Sequence, residues 1–241
     1  WVVTQDSNYE DIIYINSHRG SLEKSEAFIK GYITFMDKAS MLVARLVNPQ
    51  PGERILDCCA APGGKSMYMA ALMDNVGSLM SCDIHEHKIE LMNSNAERLG
   101  ASIVHTKVQD ATKLPDSWNS YFDRVLVDAP CSGLGILQKK LDMRWRKQES
   151  ILRELPPLQL AILERAAMTV KEKGYLIYST CTLNYKENEE VVESFLQKHK
   201  EFSIIPVVED FPLKSNSGMI TTYPPTDDMD GFFMVKMQRI S

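Results

Sequence analysis

The sequence predicts an α/β protein with a mostly parallel sheet that is covered by helices on both faces. Short apolar runs alternate with amphipathic runs from residue 50 onward, which is typical of strands joined by helical crossovers. Loops rich in Gly, Pro and Asp follow the apolar runs. The chain has 241 residues and is 44% hydrophobic, so it can bury the core of one large domain.

The first half of the alternation runs from residue 54 to residue 106. Residues 54–57 are a short apolar run, residues 65–73 place Met and Ala at helical spacing, and residues 78–84 form a second strand. Residues 88–99 carry four apolar residues on one helix face, and a glycine ends that helix. Residues 103–106 form a third, short strand.

The second half repeats the pattern. Residues 123–127 form a strand that ends at an aspartate, and residues 158–170 are helical. Residues 174–179 form a strand, residues 188–198 a helix, and residues 232–237 a last strand with alternating apolar positions. Ligands of such sheets bind at the carboxyl ends of the strands, so the loops that follow the strands are where a site is expected.

Residues 1–40 do not follow this alternation. Residues 12–15 are apolar, residues 16–20 resemble a turn, and residues 29–35 are rich in residues that favour strands. We expect a small N-terminal appendage over 1–40, the tail of an upstream domain, and a core domain over 41–241. Because the first residue is Trp1 and not Met, we expect a fragment of a longer protein.

The composition excludes several classes of protein. Five cysteines without a Cys-x-x-Cys pair predict reduced thiols in a cytoplasmic protein and not a disulfide framework. A net charge of −5 means that nucleic acid would have to bind at a local basic patch or at a missing domain. No apolar stretch is long enough to span a bilayer. Cys82, His85 and His87 cluster without a fourth ligand at metal-site spacing, so we expect no metal, and we expect a monomer.

A glycine-rich turn, Ala60-Ala61-Pro62-Gly63-Gly64-Lys65-Ser66, separates the first core strand from the next helix. Its glycines let the backbone approach a ligand, and the helix start offers free N–H groups. Asp83 follows the second strand about 20 positions on, where an acid binds ribose hydroxyls. A dinucleotide, a nucleoside triphosphate or S-adenosylmethionine would suit this layout, and a plain tight turn is the alternative.

The details of the turn separate these ligands. A P-loop needs glycine where this chain has Cys59, and the Gly-x-Gly-x-x-Gly of dinucleotide sites is absent. S-adenosylmethionine has no phosphates, so its site can use fewer glycines and more acids. Four aspartates at strand ends or in the loops beyond them supply such acids: Asp57, Asp83, Asp110 and Asp128.

Two cysteines follow runs that are typical of buried strands. They lie in Asp128-Ala129-Pro130-Cys131-Ser132-Gly133 and in Ser179-Thr180-Cys181-Thr182. A cysteine at a strand end is often a buried, inert thiol, but a thiol with a lowered pKa is a nucleophile. The polar, turn-forming neighbours of Cys131 and Cys181 favour the nucleophile, whereas Cys58, Cys59 and Cys82 are more typical of loop-lining or core thiols.

Together these segments resemble the Nol/Nop/Sun family of RNA cytosine-C5 methyltransferases. The matching pieces occur in family order over about residues 30 to 240: 57–66, Asp83, Asp110, 128–133, and 179–182 followed by Asn188-Glu189. Within the family, residues 142–146 and the terminal Asp230-Gly231-Phe232-Phe233 are most similar to the bacterial Sun (RsmB-type) enzymes of small-subunit rRNA, which also carry an upstream helical RNA-binding domain. One departure is Met36, which stands where relatives usually have Gln.

The resemblance implies a Rossmann-like class I S-adenosylmethionine methyltransferase fold with a seven-stranded sheet. It implies that Asp83 holds the ribose of the cofactor, Asp110 its adenine, and Asp128 the target base beside the cofactor. Cys181 would be the nucleophile and Cys131 would assist product release, with Lys65 near both. The methionine end would be held by Cys59, Ala60, Ala61, Pro62, Gly63, Gly64 and Lys65.

The implied reaction is methylation of cytosine C5 in RNA, here 16S rRNA, through a covalent bond between a cysteine and C6. A transfer RNA enzyme of the same family, a non-catalytic ribosome-assembly factor with this fold, and a P-loop NTPase remain alternatives. The RNA would meet a basic patch around one aromatic residue, which could also be a solvated helix face. The patch consists of Lys139, Lys140, Arg144, Trp145, Arg146 and Lys147.

Overall fold

The computed structural model describes residues 1–139, 149–207, 211–213, 215 and 217–241. An antiparallel hairpin of β1 (Val2–Gln5) and β2 (Ile13–Ser17) begins the chain. The strands of the central sheet are β3 (Arg54–Asp57), β4 (Ser78–Asp83), β5 (Val104–Val108), β6 (Phe122–Asp128), β7 (Val170–Thr180), β8 (Phe202–Ile204), β9 (Met219–Thr221) and β10 (Phe233–Arg239).

Helices lie between these strands. They are α1 (Glu26–Ile29), α2 (Lys38–Val47), α3 (Gly64–Leu72), α4 (Glu86–Leu99), α5 (Glu149–Ala167), α6 (Glu189–Lys198) and α7 (Pro224–Asp227). In the described parts of the chain, no helix is both long enough and apolar enough to cross a membrane.

The sheet has the order β5-β4-β3-β6-β7-β10-β8, and the short strand β9 pairs with β10. The five strands from β3 to β7 pair in parallel, whereas β10 is antiparallel to β7, β8 and β9. The prediction of a mostly parallel sheet in an α/β fold is therefore confirmed. Seven strands form the continuous path, and β9 is an eighth beside it.

The sheet is buried on both faces, as parallel sheets require. Leu126 and Ile177 point to one face, where they pack in a core with α2 and α3. Val125 and Val127 point to the other face, where they pack with residues of α5 and α6. Because side chains alternate along a strand, the continuous apolar run of β6 is needed to fill both cores.

One prediction about residues 1–50 was wrong, and one helix there was not predicted. Residues 29–35 form no strand; α1 ends at Ile29, and Arg98 donates to the carbonyl oxygens of Phe28 and Ile33 while stacking on the Phe28 ring. The segment is therefore held by a distant side chain and not by a strand ladder. Helix α2 was not predicted, although Asp37 caps it by accepting from the Ala39 N–H at 2.8 Å.

The helix over residues 158–170 was predicted to begin too late and to end too late. Helix α5 already includes Glu149 and ends at Ala167, and β7 begins at Val170. Pro156 and Pro157 lie inside α5, and prolines are normally taken to mark a helix start. The first turns of α5 were therefore missed.

The hairpin and the loop after it are attached to the core domain by charged side chains. Asp6 accepts from Lys38 at 2.8 Å, and Asp11 accepts from Tyr68 at 2.8 Å and pairs with Arg45. These contacts agree with an appendage packed on the core, and the boundary at residue 40 stays a prediction.

Candidate active site

One cavity of about 600 Å³ lies at the carboxyl ends of the parallel strands. It brings together five residues that the sequence places at strand ends or in the loops beyond them: Asp83, Asp110, Asp128, Cys131 and Cys181. Apolar side chains of α5 and of the neighbouring loops complete its walls. They include Ile84, Ala111, Pro130, Leu158 and Ile162.

The two cysteines face each other in this cavity. The Sγ atoms of Cys131 and Cys181 are 3.2 Å apart, within hydrogen-bond distance for sulfur. They are adjacent because β6 and β7 are neighbouring parallel strands in which Asp128 is paired with Ser179. The loops that leave these two strands therefore begin side by side.

The environment of the pair gives the two thiols opposite character. Hydrogen bonding from Cys131 lowers the pKa of Cys181, and the Lys65 ammonium acts in the same direction against the opposing effects of burial and of Asp128. The same hydrogen bond, together with burial, raises the pKa of Cys131 well above its ordinary value. Cys181 is therefore the sulfur that ionises first, and Cys131 is the proton donor beside it.

Lys65 connects the glycine-rich turn to the strand ends. Its Nζ donates to Asp128 at 2.7 Å, and the other carboxylate oxygen of Asp128 accepts from Ser179 Oγ at 2.7 Å. Burial alone would lower the pKa of Lys65, but the Asp128 carboxylate raises it, so Lys65 keeps its proton. Lys65 therefore pairs with an acid and also acts on the Cys181 thiol.

The glycine-rich turn lines the cavity at some of the predicted cofactor-binding positions, and its part in cofactor binding stays a prediction. Gly63 precedes α3 with φ of +100°, and a side chain there would press on Met92 at 3.0 Å. From this loop Cys58, Cys59 and Ala61 line the cavity. The other predicted cofactor-binding positions, Ala60, Pro62, Gly63, Gly64 and Lys65, are not among the residues that line it; the turn shapes the loop that carries Cys59.

The predicted cofactor acids lie at separate loops of the cavity. Asp83 ends β4 and accepts from the backbone N–H of His85 at 3.0 Å, with Lys88 3.6 Å away. Asp110 accepts from the side chain and the backbone N–H of Thr112, and these hydrogen bonds lower its pKa. Both carboxyl groups are thus fixed in orientation at the cavity wall.

Asp57 does not line the cavity. It is fully buried at the end of β3, where Ser66 Oγ donates to one carboxyl oxygen at 2.7 Å. The other oxygen has no hydrogen-bond partner. Burial raises the pKa of Asp57 to about 7. The carboxyl therefore supports the turn from behind and is not one of the acids that face a ligand.

Burial also makes the other thiols poor nucleophiles. It raises the pKa of Cys58 and of Cys59 well above the ordinary value, and that of Cys82 to about 12. Among the described residues, no group of three or more His, Cys, Asp or Glu side chains is arranged to hold a metal ion. Of the five cysteines, Cys181 is the one whose pKa lies below the ordinary value.

The predicted RNA-binding patch is only partly within the described residues. Lys139 donates to Asp37 at 2.5 Å and to Asp230 at 2.9 Å, so its charge is already paired. Its part in RNA binding stays a prediction. The other members, Lys140, Arg144, Trp145, Arg146 and Lys147, lie outside the described residues.

Sequence reasoning did not single out Ser179 or the residues of α5 as site residues. Ser179 holds Asp128, and its position two residues before Cys181 on the same strand end was the available clue. Leu158 and Ile162 are four positions apart on α5 and face the cavity together. Their helical spacing was visible in the sequence, but the neighbour that they face was not.

Comparison with known proteins identifies the family. A model of the family described as 16S rRNA methyltransferase RsmB/F matches residues 44–238. The probable ribosomal RNA small subunit methyltransferase B of Bacillus subtilis is 40% identical over 227 residues, which are 92% of this chain and 51% of that protein. The protein of the same name from Synechocystis is 38% identical, over 91% of this chain and 50% of its own length.

A solved structure agrees with these matches. NSun6 from Pyrococcus horikoshii, determined with SFG, superimposes with a TM-score of 0.84 at 31% identity, covering 92% of this chain and 57% of its own. The chain spans about half the length of the curated relatives that it matches. The match to the family model covers most of the chain, in agreement with the Nol/Nop/Sun resemblance of its motifs. The chain therefore belongs to the 16S rRNA methyltransferase RsmB/F family.

Proposed function

We propose that this chain transfers a methyl group from S-adenosylmethionine to C5 of a cytosine in 16S rRNA. One observation carries the proposal: a cysteine with a lowered pKa lies 3.2 Å from a second cysteine, in the cavity that two oriented carboxyl groups also line. Cytosine C5 is a weak nucleophile, so its methylation needs a thiolate of this kind. The description of the family as a 16S rRNA methyltransferase supports 16S rRNA as the substrate.

The cavity suits the cofactor in size and chemistry. About 600 Å³ lies within the usual range of small-molecule sites. Asp83 and Asp110 supply carboxyl oxygens that can accept hydrogen bonds from ribose hydroxyls and from the adenine amino group. The NSun6 relative was solved with SFG, an analogue of S-adenosylmethionine. When bound, S-adenosylmethionine supplies an electrophilic methyl group.

Cys181 begins the reaction on the RNA. Its thiolate adds to C6 of a cytosine that has left its stack, forming the S–C6 bond and giving C5 the character of an enamine carbon. C5 then takes the methyl group. Loss of the C5 proton and breakage of the S–C6 bond restore the aromatic ring and return the Cys181 thiolate.

Asp128 and Lys65 act on the negative charge that develops on the base. Addition of the thiolate places negative charge on N3 of the base. The Lys65–Asp128 pair keeps a proton within one hydrogen bond of the carboxylate that the family resemblance assigns to the target base. Asp128 stabilises this charge by sharing with N3 a proton that Lys65 supplies through their hydrogen bond, and the proton returns to Lys65 when the S–C6 bond breaks.

Cys131 is suited to the release step. Its high pKa depends first on the hydrogen bond to Cys181 and also on the charge of that neighbour. Once Cys181 is bonded to carbon, both influences weaken, so the pKa of Cys131 falls. Cys131 can then lose its own proton to water and, as a thiolate, accept the C5 proton as a general base, directly or through water. Each cysteine is therefore reactive at a different stage.

The experiment measures transfer of a radioactive methyl group from S-adenosylmethionine to 16S rRNA, with the modified position mapped by bisulfite sequencing. We expect C5 methylation by the wild type and none by Cys181→Ala, which should still bind the cofactor in calorimetry. Methylation of transfer RNA in preference to 16S rRNA would reassign the substrate. Cofactor binding without methyl transfer to any RNA would favour an assembly factor, and normal turnover by Cys181→Ala would refute the thiolate mechanism.

A further inference from the structure

Glu187 lies behind the two cysteine loops and is fully buried. Its carboxyl group takes hydrogen bonds from three segments of the chain. Oε2 accepts from the backbone N–H of Ser132 at 2.8 Å and from Gln159 Nε2 at 3.0 Å, and Oε1 accepts from Asn184 Nδ2 at 2.9 Å. A carboxylate is the side chain that can accept all three, because it carries no donor of its own.

Each of these partners is tied to a loop that carries a cysteine. Ser132 follows Cys131, and its Oγ lies 2.8 Å from Oγ1 of Thr182, which follows Cys181. Gln159 Nε2 also donates to the carbonyl oxygen of Pro130 at 2.9 Å. The residues next to both sulfurs are thus held to one buried carboxyl group or to each other.

The sheet alone does not set the spacing of the sulfurs. The ladder between β6 and β7 ends at Asp128 and Ser179, and both cysteines lie beyond it. A backbone hydrogen bond from Gly135 to the Cys181 carbonyl oxygen connects the loops further on. Between these two points, the side chains around Glu187 fix how closely Cys131 approaches Cys181.

We propose that Glu187 is a positioning residue that holds the Cys131 loop against the Cys181 loop and thereby sets the reactivity of Cys181. This inference rests on the proposed function only in what it implies for methyl transfer. Glu187 acts through Ser132, Gln159 and Asn184 on the distance between the sulfurs. If the two sulfurs move apart, the hydrogen bond that favours the Cys181 thiolate is lost.

The test is the pH dependence of Cys181 alkylation by iodoacetamide, measured by peptide mass spectrometry on the folded chain. The titratable groups that act on Cys181 are Cys131, Asp128 and Lys65, and none is altered by Glu187→Gln. We expect this variant to raise the midpoint by about one pH unit and to slow alkylation at pH 7 about tenfold. Glu190→Gln removes an exposed glutamate from α6 and should leave the midpoint unchanged.

A second variant keeps the test decisive if Glu187→Gln does not fold. Gln159→Met removes the donor that joins Glu187 to the Pro130 carbonyl oxygen, and it should raise the midpoint in the same direction. A wild-type midpoint in Glu187→Gln, or in Gln159→Met where the first variant is unfolded, overturns the inference. Alkylation needs no RNA, so failure of the wild type to methylate any RNA would refute the proposed function and leave this result standing.

Discussion

The sulfur atoms of Cys131 and Cys181 lie 3.2 Å apart although the residues are 50 positions apart in the sequence. The parallel pairing of β6 and β7 produces this contact, because both cysteines leave adjacent strands at the same edge of the sheet. The contact lowers the pKa of Cys181 and raises the pKa of Cys131, although both are thiols. We propose that this difference makes Cys181 the nucleophile and Cys131 the proton donor.

Removing Cys131 should weaken Cys181 as a nucleophile. The pKa of Cys181 lies below the ordinary 9.0 because Cys131 donates to its sulfur. In Cys131→Ala, burial and Asp128 remain and that donor is gone, so the pKa rises and less thiolate is present at pH 7. We expect the midpoint of Cys181 alkylation to move to higher pH. An unchanged midpoint would show that the sulfur contact does not determine ionisation.

Replacing Lys65 should slow methyl transfer without preventing folding. Lys65→Met removes the cation that favours the Cys181 thiolate and leaves Asp128 with Ser179 as its partner. We expect the turnover rate at pH 7 to fall at least about tenfold. Lys186→Met, at an exposed position, is the matched control. Equal rates for the two variants would remove Lys65 from the chemistry.

Asp57 should make the free energy of unfolding depend on pH. Its pKa is about 7 in the folded protein against 3.8 as the ordinary value, so between these values the folded state binds more protons. The contribution of Asp57 to stability is therefore full below about pH 4 and is lost as the pH rises to about 7, by an amount on the order of 4 kcal/mol.

Asp57→Asn should remove this contribution. In urea denaturation at pH 5 and pH 8, the wild type should lose more stability between the two pH values than the variant does. Parallel losses in the two proteins would contradict the assignment of a raised pKa to Asp57.

The lysines of the basic segment after the Cys131 loop should differ in how they contribute to RNA binding and to stability. Lys140→Glu with Lys147→Glu is expected to weaken RNA binding and to lower its salt dependence, by a slope of about 0.7 for each lost contact to single-stranded RNA. Filter binding at several salt concentrations measures both. Unaltered affinity would favour a solvated surface.

Lys139→Glu should behave differently, because Lys139 is paired with Asp37 and Asp230. A third acid beside Asp37 and Asp230 should lower the melting temperature, in addition to any effect on RNA affinity. A loss of RNA affinity without a change in melting temperature would show that the two ion pairs contribute little.

The sequence was sufficient for the five parallel strands, for β10 and for the loops that follow them, but not for β8, β9 or the cavity wall on α5. Asp83, Asp128 and Cys181 are polar groups at the ends of buried strands, and parallel strands bring such ends together. Helix α2 was missed because its apolar residues are explained only by the sheet that they cover.

Other features depend on distant partners that local patterns do not encode. Lys139 was assigned to RNA because its immediate neighbours are basic, but the two acids that bind it lie 102 and 91 positions away. Glu187 has the local pattern of a helix start, and its partner Ser132 is 55 positions upstream. Residues 29–35 have strand propensity, which the contacts of Arg98 override.

The most direct test of the account is to isolate the bond between Cys181 and RNA. Cys131→Ala is incubated with S-adenosylmethionine and 16S rRNA, and the protein is digested for mass spectrometry. We predict a denaturation-resistant complex with a methylated cytosine nucleotide attached to the peptide that contains Cys181. The double variant Cys131→Ala/Cys181→Ala should form no such complex. Attachment at another residue, or methylated product without any adduct in the release-deficient variant, would contradict the account.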